Sequence, residues 1–153
     1  MGIMLAKALL SDAVMITEIN TNAYNDETNR FGPGRDGGPS GYNDIDVIVV
    51  LLSKYSCYKI FVEKEIIGWF WLHEHDSCTV ELEDFCISPR HQNKGYGYET
   101  LLRMQELMPD KKKWILGTPY YSVRNQHLYE KAGYKKIGDS EDGFLFLYEK
   151  VIV

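Results

Sequence analysis

The chain has 153 residues, a formal net charge of −5 and 44% hydrophobic residues, with 25% charged and 13% aromatic. That length suits one domain spanning residues 1–153, and the apolar share is enough to bury a core, which excludes an intrinsically disordered chain. The acidic balance argues against a nucleic-acid surface, which needs a basic stripe; the one basic run, Lys111-Lys112-Lys113, reads as a solvated turn.

The opening stretch Met1–Leu10 carries Lys7 inside a short apolar run and no small-residue cleavage site, so no signal peptide is read there. Ser11 and Asp12 are placed to cap a helix whose apolar positions Ile16, Ile19 and Ala23 recur at helical spacing. From Asn25 to Asn43 the chain is polar and Gly/Pro-rich, with Phe31 and Tyr42 as its aromatic points. A loop of that length in a compact domain is usually functional or mobile. Asn43–Ser53 is open to two readings. Its β-branched run Val47–Val50 favours a strand, whereas Asn43 followed three residues on by Asp46 favours a capped helix. The run Ile45–Leu52, interrupted by Asp46, is far short of the ~20 apolar residues of a membrane span.

Three strand-like segments come next: Tyr58–Glu63, Ile66–His73 after a turn at Lys64-Glu65, and Thr79–Ile87 after a turn at His75–Ser77. Their short connections make an antiparallel meander. Beyond Pro89 the turn Gln92-Asn93-Lys94-Gly95-Tyr96-Gly97 opens a helix running to Met108, with Leu101, Met104, Leu107 and Met108 on one face and Pro109 as its stop. Trp114–Thr118 reads as a strand, and Ser122–Lys131 as a helix ended by Gly133. Tyr134–Gly138 and Phe144–Val151 are two further strands turning at Asp142-Gly143. The three cysteines, Cys57, Cys78 and Cys86, are odd in number and form no CxxC, which points to a reducing, cytoplasmic setting.

The strongest chemical feature is the succession of strand, Gly-containing turn and helix from Glu81 to Met108. Backbone N–H groups converge at such a helix start and the helix dipole adds positive potential, so a phosphate or pyrophosphate is the natural guest. The alternative is an ordinary strand-to-helix turn in which glycine only relieves strain. Other features carry less. Gly32-Pro33-Gly34-Arg35-Asp36-Gly37 matches G-x-G-x-x-G in letters, but no strand precedes it. His73, His75 and Cys78 sit close together, yet H-E-x-H in a hairpin is not the helical HExxH, and a surface turn without metal is the expectation. Cys86 has no acid or histidine at readable spacing, and Trp69, Phe70 and Trp71 read as core.

The run Ile87-Ser88-Pro89-Arg90-His91-Gln92-Asn93-Lys94-Gly95-Tyr96-Gly97 resembles the acetyl-CoA-binding signature Q/R-x-x-G-x-G/A of the GCN5-related N-acetyltransferase (GNAT) family. At the expected distance, Leu128-Tyr129-Glu130-Lys131-Ala132-Gly133-Tyr134 is similar to that family's LYEKxGF/Y segment. The resemblance covers the whole order of elements. It implies an α+β fold with a mixed, mostly antiparallel sheet of six to seven strands, splayed between the fourth (Thr79–Ile87) and fifth (Trp114–Thr118) and flanked by four helices. Asn43–Ser53 is then a helix.

The same resemblance implies acetyl-CoA as co-substrate, with no metal. Its pantetheine would lie against Phe85, Cys86 and Ile87, and its pyrophosphate on Gln92, Asn93, Lys94, Gly95, Tyr96, Gly97 and Tyr98. Where many relatives carry Asn this chain has Ser122, with Asn125 three residues later, so either would touch the pantetheine. The reaction implied is acetyl transfer by direct attack of a primary amine, small-molecule or peptidic. Glu81 matches the base of some protein-acetylating relatives, and Glu83, two residues on, shares its strand face as the alternative. Tyr129 matches the tyrosine that protonates the departing sulfur, while Phe31, Arg35 and Tyr42 fall beside the acceptor. Apolar strands near the C-terminus would allow a homodimer. The rival readings are a non-catalytic acyl-CoA-binding domain on this fold and a nucleotide-binding domain, the latter without GxxxxGK[ST].

Overall fold

Residues buried on both faces dominate the middle of the chain. Ile67, Trp69, Phe70 and Leu72 are all at most 1% exposed, which places their strand at the centre of a sheet covered on both sides. The computed structural model describes residues 2–153; Met1, at the head of the N-terminal stretch discussed above, lies outside them. The elements are β1 (Met4–Lys7), α1 (Ala13–Arg30), α2 (Ile45–Lys54), β2 (Ser56–Val62), β3 (Glu65–Glu74), β4 (Thr79–Ile87), α3 (Tyr96–Arg103), β5 (Lys113–Pro119), α4 (Val123–Lys131), β6 (Lys135–Asp139) and β7 (Leu145–Val151). The strands form one seven-stranded sheet in the order β1-β2-β3-β4-β5-β7-β6. Among the described residues only β4 and β5 run parallel, as the crossover through α3 requires.

Two cores sandwich the sheet. On one face α1 and α2 bring Ala13, Ile16 and Ile48 against Cys57, Trp69 and Trp71. On the other, α3 and α4 with the residues that directly follow them bring Leu101, Met104, Tyr129 and Ala132 against Phe70, Leu72, Trp114 and Tyr148. Among the described residues no helix is long and apolar enough to cross a membrane.

Several local expectations shift. Neither Ser11 nor Asp12 caps α1 through its side chain. The Asp12 carboxylate accepts the Leu9 N–H (2.8 Å) and pairs with Lys59 (3.0 Å) instead. α1 continues to Arg30, so the polar loop begins at residue 31, because Thr17, Thr21, Thr28 and Asn29 satisfy themselves on carbonyls of their own helix. The ambiguous run is the helix α2, capped not by Asn43 but by Asp44, which accepts the Asp46 N–H at 2.9 Å. The β2–β3 turn is Glu63-Lys64 rather than Lys64-Glu65, with Glu63 in the left-handed region (φ 56°). Lys111 is not solvated: it is 8% exposed and pairs with Glu74 at 3.0 Å. β1, for which the sequence offers only four residues at a sheet edge, was not anticipated.

The sheet splays between β4 and β5. β5 pairs with β4 only at Thr79, Val80 and Glu81. Beyond Glu81 the two strands part, so the main chain of Leu82–Ile87 on that side has no strand partner. A bulge adds to the divergence. One β3 residue, Phe70, spans two on β4, Asp84 and Phe85, and Asp84 adopts φ 48°.

Candidate active site

Two cavities open into this wedge. The first, of about 250 Å³, lies between the end of β4, the start of α3 and α4. Phe85, Cys86 and Ile87 line it from β4; Gln92, Asn93, Gly95, Tyr96, Gly97 and Tyr98 line it from the turn; Ser122, Asn125 and Tyr129 line it from α4 and its approach. Lys94 is exposed and does not reach it.

The turn is shaped to leave its N–H groups free. Asn93 (φ 62°) and Gly95 (φ 84°) both take left-handed conformations, with Gly95 as the residue before α3. A Cβ built on Gly95 meets nothing within 4 Å, and one on Gly97 meets only Leu128 Cδ2 at 3.2 Å and Phe85 at 3.9 Å. The first N–H groups of a helix have no partner inside it. The turn therefore presents open donors at the positive end of α3, and Gln92 anchors its other end by donating from Nε2 to the Ile87 carbonyl (2.8 Å).

The lining contains polar atoms without partners. Glu27 Oε2, His91 Nδ1 and Ser122 Oγ are buried and make no hydrogen bond, and all three residues face this cavity. Buried polar atoms are otherwise nearly always paired, so an orphan cluster in one cavity is what a polar ligand would satisfy. Ser122, 0% exposed, occupies the position where the resemblance anticipates asparagine. Arg124 braces the floor, donating to Gln92 Oε1 (2.6 Å) and Glu27 Oε1 (2.9 Å) while its guanidinium lies 5.3 Å from the Phe31 ring. Phe31 itself lines neither cavity.

The second cavity, of about 630 Å³, lies under the 31–44 loop, against α1, α2 and the opened side of β4. Arg35 and Tyr42 line it, and so do Trp71, Glu83 and Asp84. The cavities meet at Tyr24, Thr28, Pro119 and Tyr121, which line both. Trp71, read from sequence as core, is packed there and also reaches the cavity wall, where its Nε1–H donates to Asp84 Oδ2 (2.8 Å). The other Asp84 oxygen accepts the Tyr24 hydroxyl at 2.6 Å, and burial with that neighbour lifts the Tyr24 phenol well above its ordinary value.

The two β4 glutamates diverge in setting although they share a strand face. Glu81 lies where β5 is still paired, outside both cavities, and meets His75 Nε2 at 2.8 Å. Glu83 lies beyond the parting point. Burial, a hydrogen bond to Glu81 and the nearby charges of Glu81 and Asp84 push its carboxyl up to about 8. Burial likewise raises the Tyr129 phenol, so it holds its proton throughout the neutral range. Cys86 is raised far above an ordinary thiol by burial and by Asp84, which removes thiolate character at the one cysteine in the wedge.

Tyr24, Glu27, Asp84, Tyr121 and Arg124 were not singled out from sequence. For the α1 members a signal exists: Asn20, Tyr24, Glu27 and Thr28 recur at helical spacing beside the buried Ile16, Ile19 and Ala23, a polar stripe turned inward.

Residues 22–134 match the family model described as the acetyltransferase (GNAT) family. An uncharacterised N-acetyltransferase of Bacillus subtilis (strain 168), YvbK, is 26% identical over 111 residues, covering 70% of each chain. The PaiA N-acetyltransferase of Thermoplasma acidophilum, solved with coenzyme A, superposes with a TM-score of 0.79 at 19% identity over 99% of both chains. A spermidine N-acetyltransferase of Vibrio cholerae, solved with CoA and spermine, gives 0.75 at 16% identity over 97% of this chain and 95% of its own. With the family model spanning well over half of its length, this chain belongs to the GNAT family of N-acetyltransferases and is an acyltransferase enzyme.

Proposed function

We propose that the protein transfers acetyl from acetyl-CoA to a primary amine by direct attack, with Glu83 as the base and Tyr129 as the acid. The observation that carries this reading is the placement of Glu83. Of the two candidate carboxylates it alone lines the larger cavity, which joins the Gly-turn cavity at Tyr24, Thr28, Pro119 and Tyr121. The residues of the first cavity fit acetyl-CoA, since the open cradle at Gly95 and the orphaned Ser122 hydroxyl both ask for a polar guest. When bound, acetyl-CoA supplies the acyl group as a reactive thioester. The free N–H groups from Asn93 to Tyr98 would hold its pyrophosphate, and the unpaired β4 main chain near Phe85–Ile87 its pantetheine.

The acceptor amine arrives mostly protonated at neutral pH, as alkylamines have pKa values near 10. Asp84 and Asp36, against the single arginine Arg35, favour a cation at the second cavity. The cationic amine beside Glu83 favours the ionised form of a carboxyl otherwise raised to about 8, and once ionised Glu83 takes the ammonium proton as a stronger base than an ordinary carboxylate. Tyr129 keeps a proton ready for the departing sulfur, and a β4 N–H near Ile87 would receive the developing oxyanion. The high-lying Cys86 thiol favours this single transfer over an acyl-cysteine route. Its three free cysteines suit a cytoplasmic enzyme.

The test is release of free CoA thiol from acetyl-CoA in the presence of a panel of primary amines: polyamines, lysine peptides and aminoglycosides. Amine-dependent release that is lost in Glu83→Gln is expected. Tight acetyl-CoA binding with no release across the panel would leave a non-catalytic acyl-CoA-binding protein.

A further inference from the structure

We propose that His73, His75 and Glu81 form a surface site for a divalent first-row transition ion of the zinc class, at the turn end of the β3–β4 hairpin. This site is separate from both cavities, and nothing in the acetyl-transfer reading requires it. His73 is near the end of β3 and His75 follows that end by one residue, and their rings stack on one side of the hairpin. Glu81 is the register partner of His73 across the ladder. The two imidazoles lie nearly parallel with centroids 4.5 Å apart, and His75 Nε2 is 2.8 Å from Glu81 Oε1. One ligating atom from each of the three residues lies within 4.8 Å of the other two.

The dimensions suit a metal. Bonds of about 2.0–2.2 Å place tetrahedral ligands roughly 3.4 Å apart, so closure of about an ångström completes the set. Part-exposed side chains can make that movement: His75 is 39% and Glu81 28% exposed. Two imidazoles with one carboxylate select zinc, copper or nickel over magnesium or calcium, which prefer all-oxygen shells. Three protein ligands on an open face leave the remaining positions to water. The sequence motif misleads here because HExxH brings histidines together on a helix, whereas at the end of a strand H-x-H does the same and the third ligand comes through strand register. Cys78, the neighbour that sequence proximity suggested, is not part of the set.

Calorimetric titration of the full chain, stripped of metal, with zinc chloride tests the site. One saturable ion per chain is expected, with affinity weakened at least tenfold in His73→Ala, His75→Ala and Glu81→Gln and unchanged in His127→Ala on α4. Cobalt(II) in its place should show ligand-field bands without a thiolate charge-transfer band. Absence of saturable zinc binding, binding that survives His75→Ala and Glu81→Gln, or binding abolished by Cys78→Ser would each overturn the proposal. Melting temperatures of the variants confirm that they are folded, and because acetyl-CoA affinity is read separately, failure of this site leaves the acetyl-transfer reading standing.

Discussion

Replacing Gly95 separates what the turn does for the fold from what it does for the ligand. Gly95 sits at φ 84° with open space where a Cβ would project, so Gly95→Ala meets no atom and is resisted only by backbone conformation. A left-handed L-residue costs about 1–2 kcal/mol. For a chain of this size that lowers Tm by roughly 2–8 °C. Asparagine tolerates this conformation far better, so Gly95→Asn should recover most of the stability. Its side chain still enters the cradle beneath the pyrophosphate. Acetyl-CoA affinity should therefore fall by an order of magnitude or more in both variants, about 1.4 kcal/mol. Thermal melts and calorimetric titration with acetyl-CoA measure the two effects independently. A folded Gly95→Asn protein that binds acetyl-CoA like the parent would refute the placement of the phosphates on this turn.

Tyr129→Phe removes one buried hydroxyl, and should leave acetyl-CoA affinity nearly unchanged while lowering turnover by roughly 10²–10⁴-fold; parental turnover would return Tyr129 to a packing role. Arg124→Ala strips the 8%-exposed Glu27 of its partner and Gln92 of its brace. Stability should fall by about 1–3 kcal/mol with weaker acetyl-CoA binding, and Glu27→Gln added to it should restore part of the Tm. Alkylation of the native protein should modify Cys78 first, because it is exposed while Cys57 is buried and Cys86 only partly exposed, and both of their thiols are raised, that of Cys57 to about 12; mass mapping of a rapidly quenched reaction reads the order.

Much of the frame was legible locally. β4 falls at Thr79–Ile87 as read, and Gly133 ends α4 with φ 101° because only a left-handed residue lets Tyr134 N–H reach the Tyr129 carbonyl (3.0 Å). The Gly turn was legible because its letters follow from backbone geometry. Asn43–Ser53 was not legible locally. Val47–Val50 suits a strand by propensity, and burial of Ile48 against the α1 face outweighs that preference.

The different settings of Glu81 and Glu83 were hidden for a different reason. Alternation places both on one face, but which of them meets a cavity depends on where β5 stops pairing, and that is set by packing of the far end of the sheet. The Asp84 bulge, which turns a carboxylate towards Tyr24 and Trp71, leaves no trace in a chain that reads as a continuous strand. The contacts between Arg124 and Glu27, 97 residues apart in sequence, are equally out of reach of spacing arguments.

The most direct measurement of the central claim is the turnover of parent, Glu83→Gln and Glu81→Gln with one accepted amine, followed from neutral pH to about 10. Glu83→Gln should bind acetyl-CoA normally and lose most rate around pH 8, where the Glu83 carboxyl ionises while the amine is still protonated. The loss should shrink as pH approaches the amine's own pKa of about 10, where free amine needs no base. Glu81→Gln, outside the cavity, should lose much less. Equal rates for Glu83→Gln and parent at every pH, or a larger loss in Glu81→Gln, would contradict the assignment of Glu83 as the base.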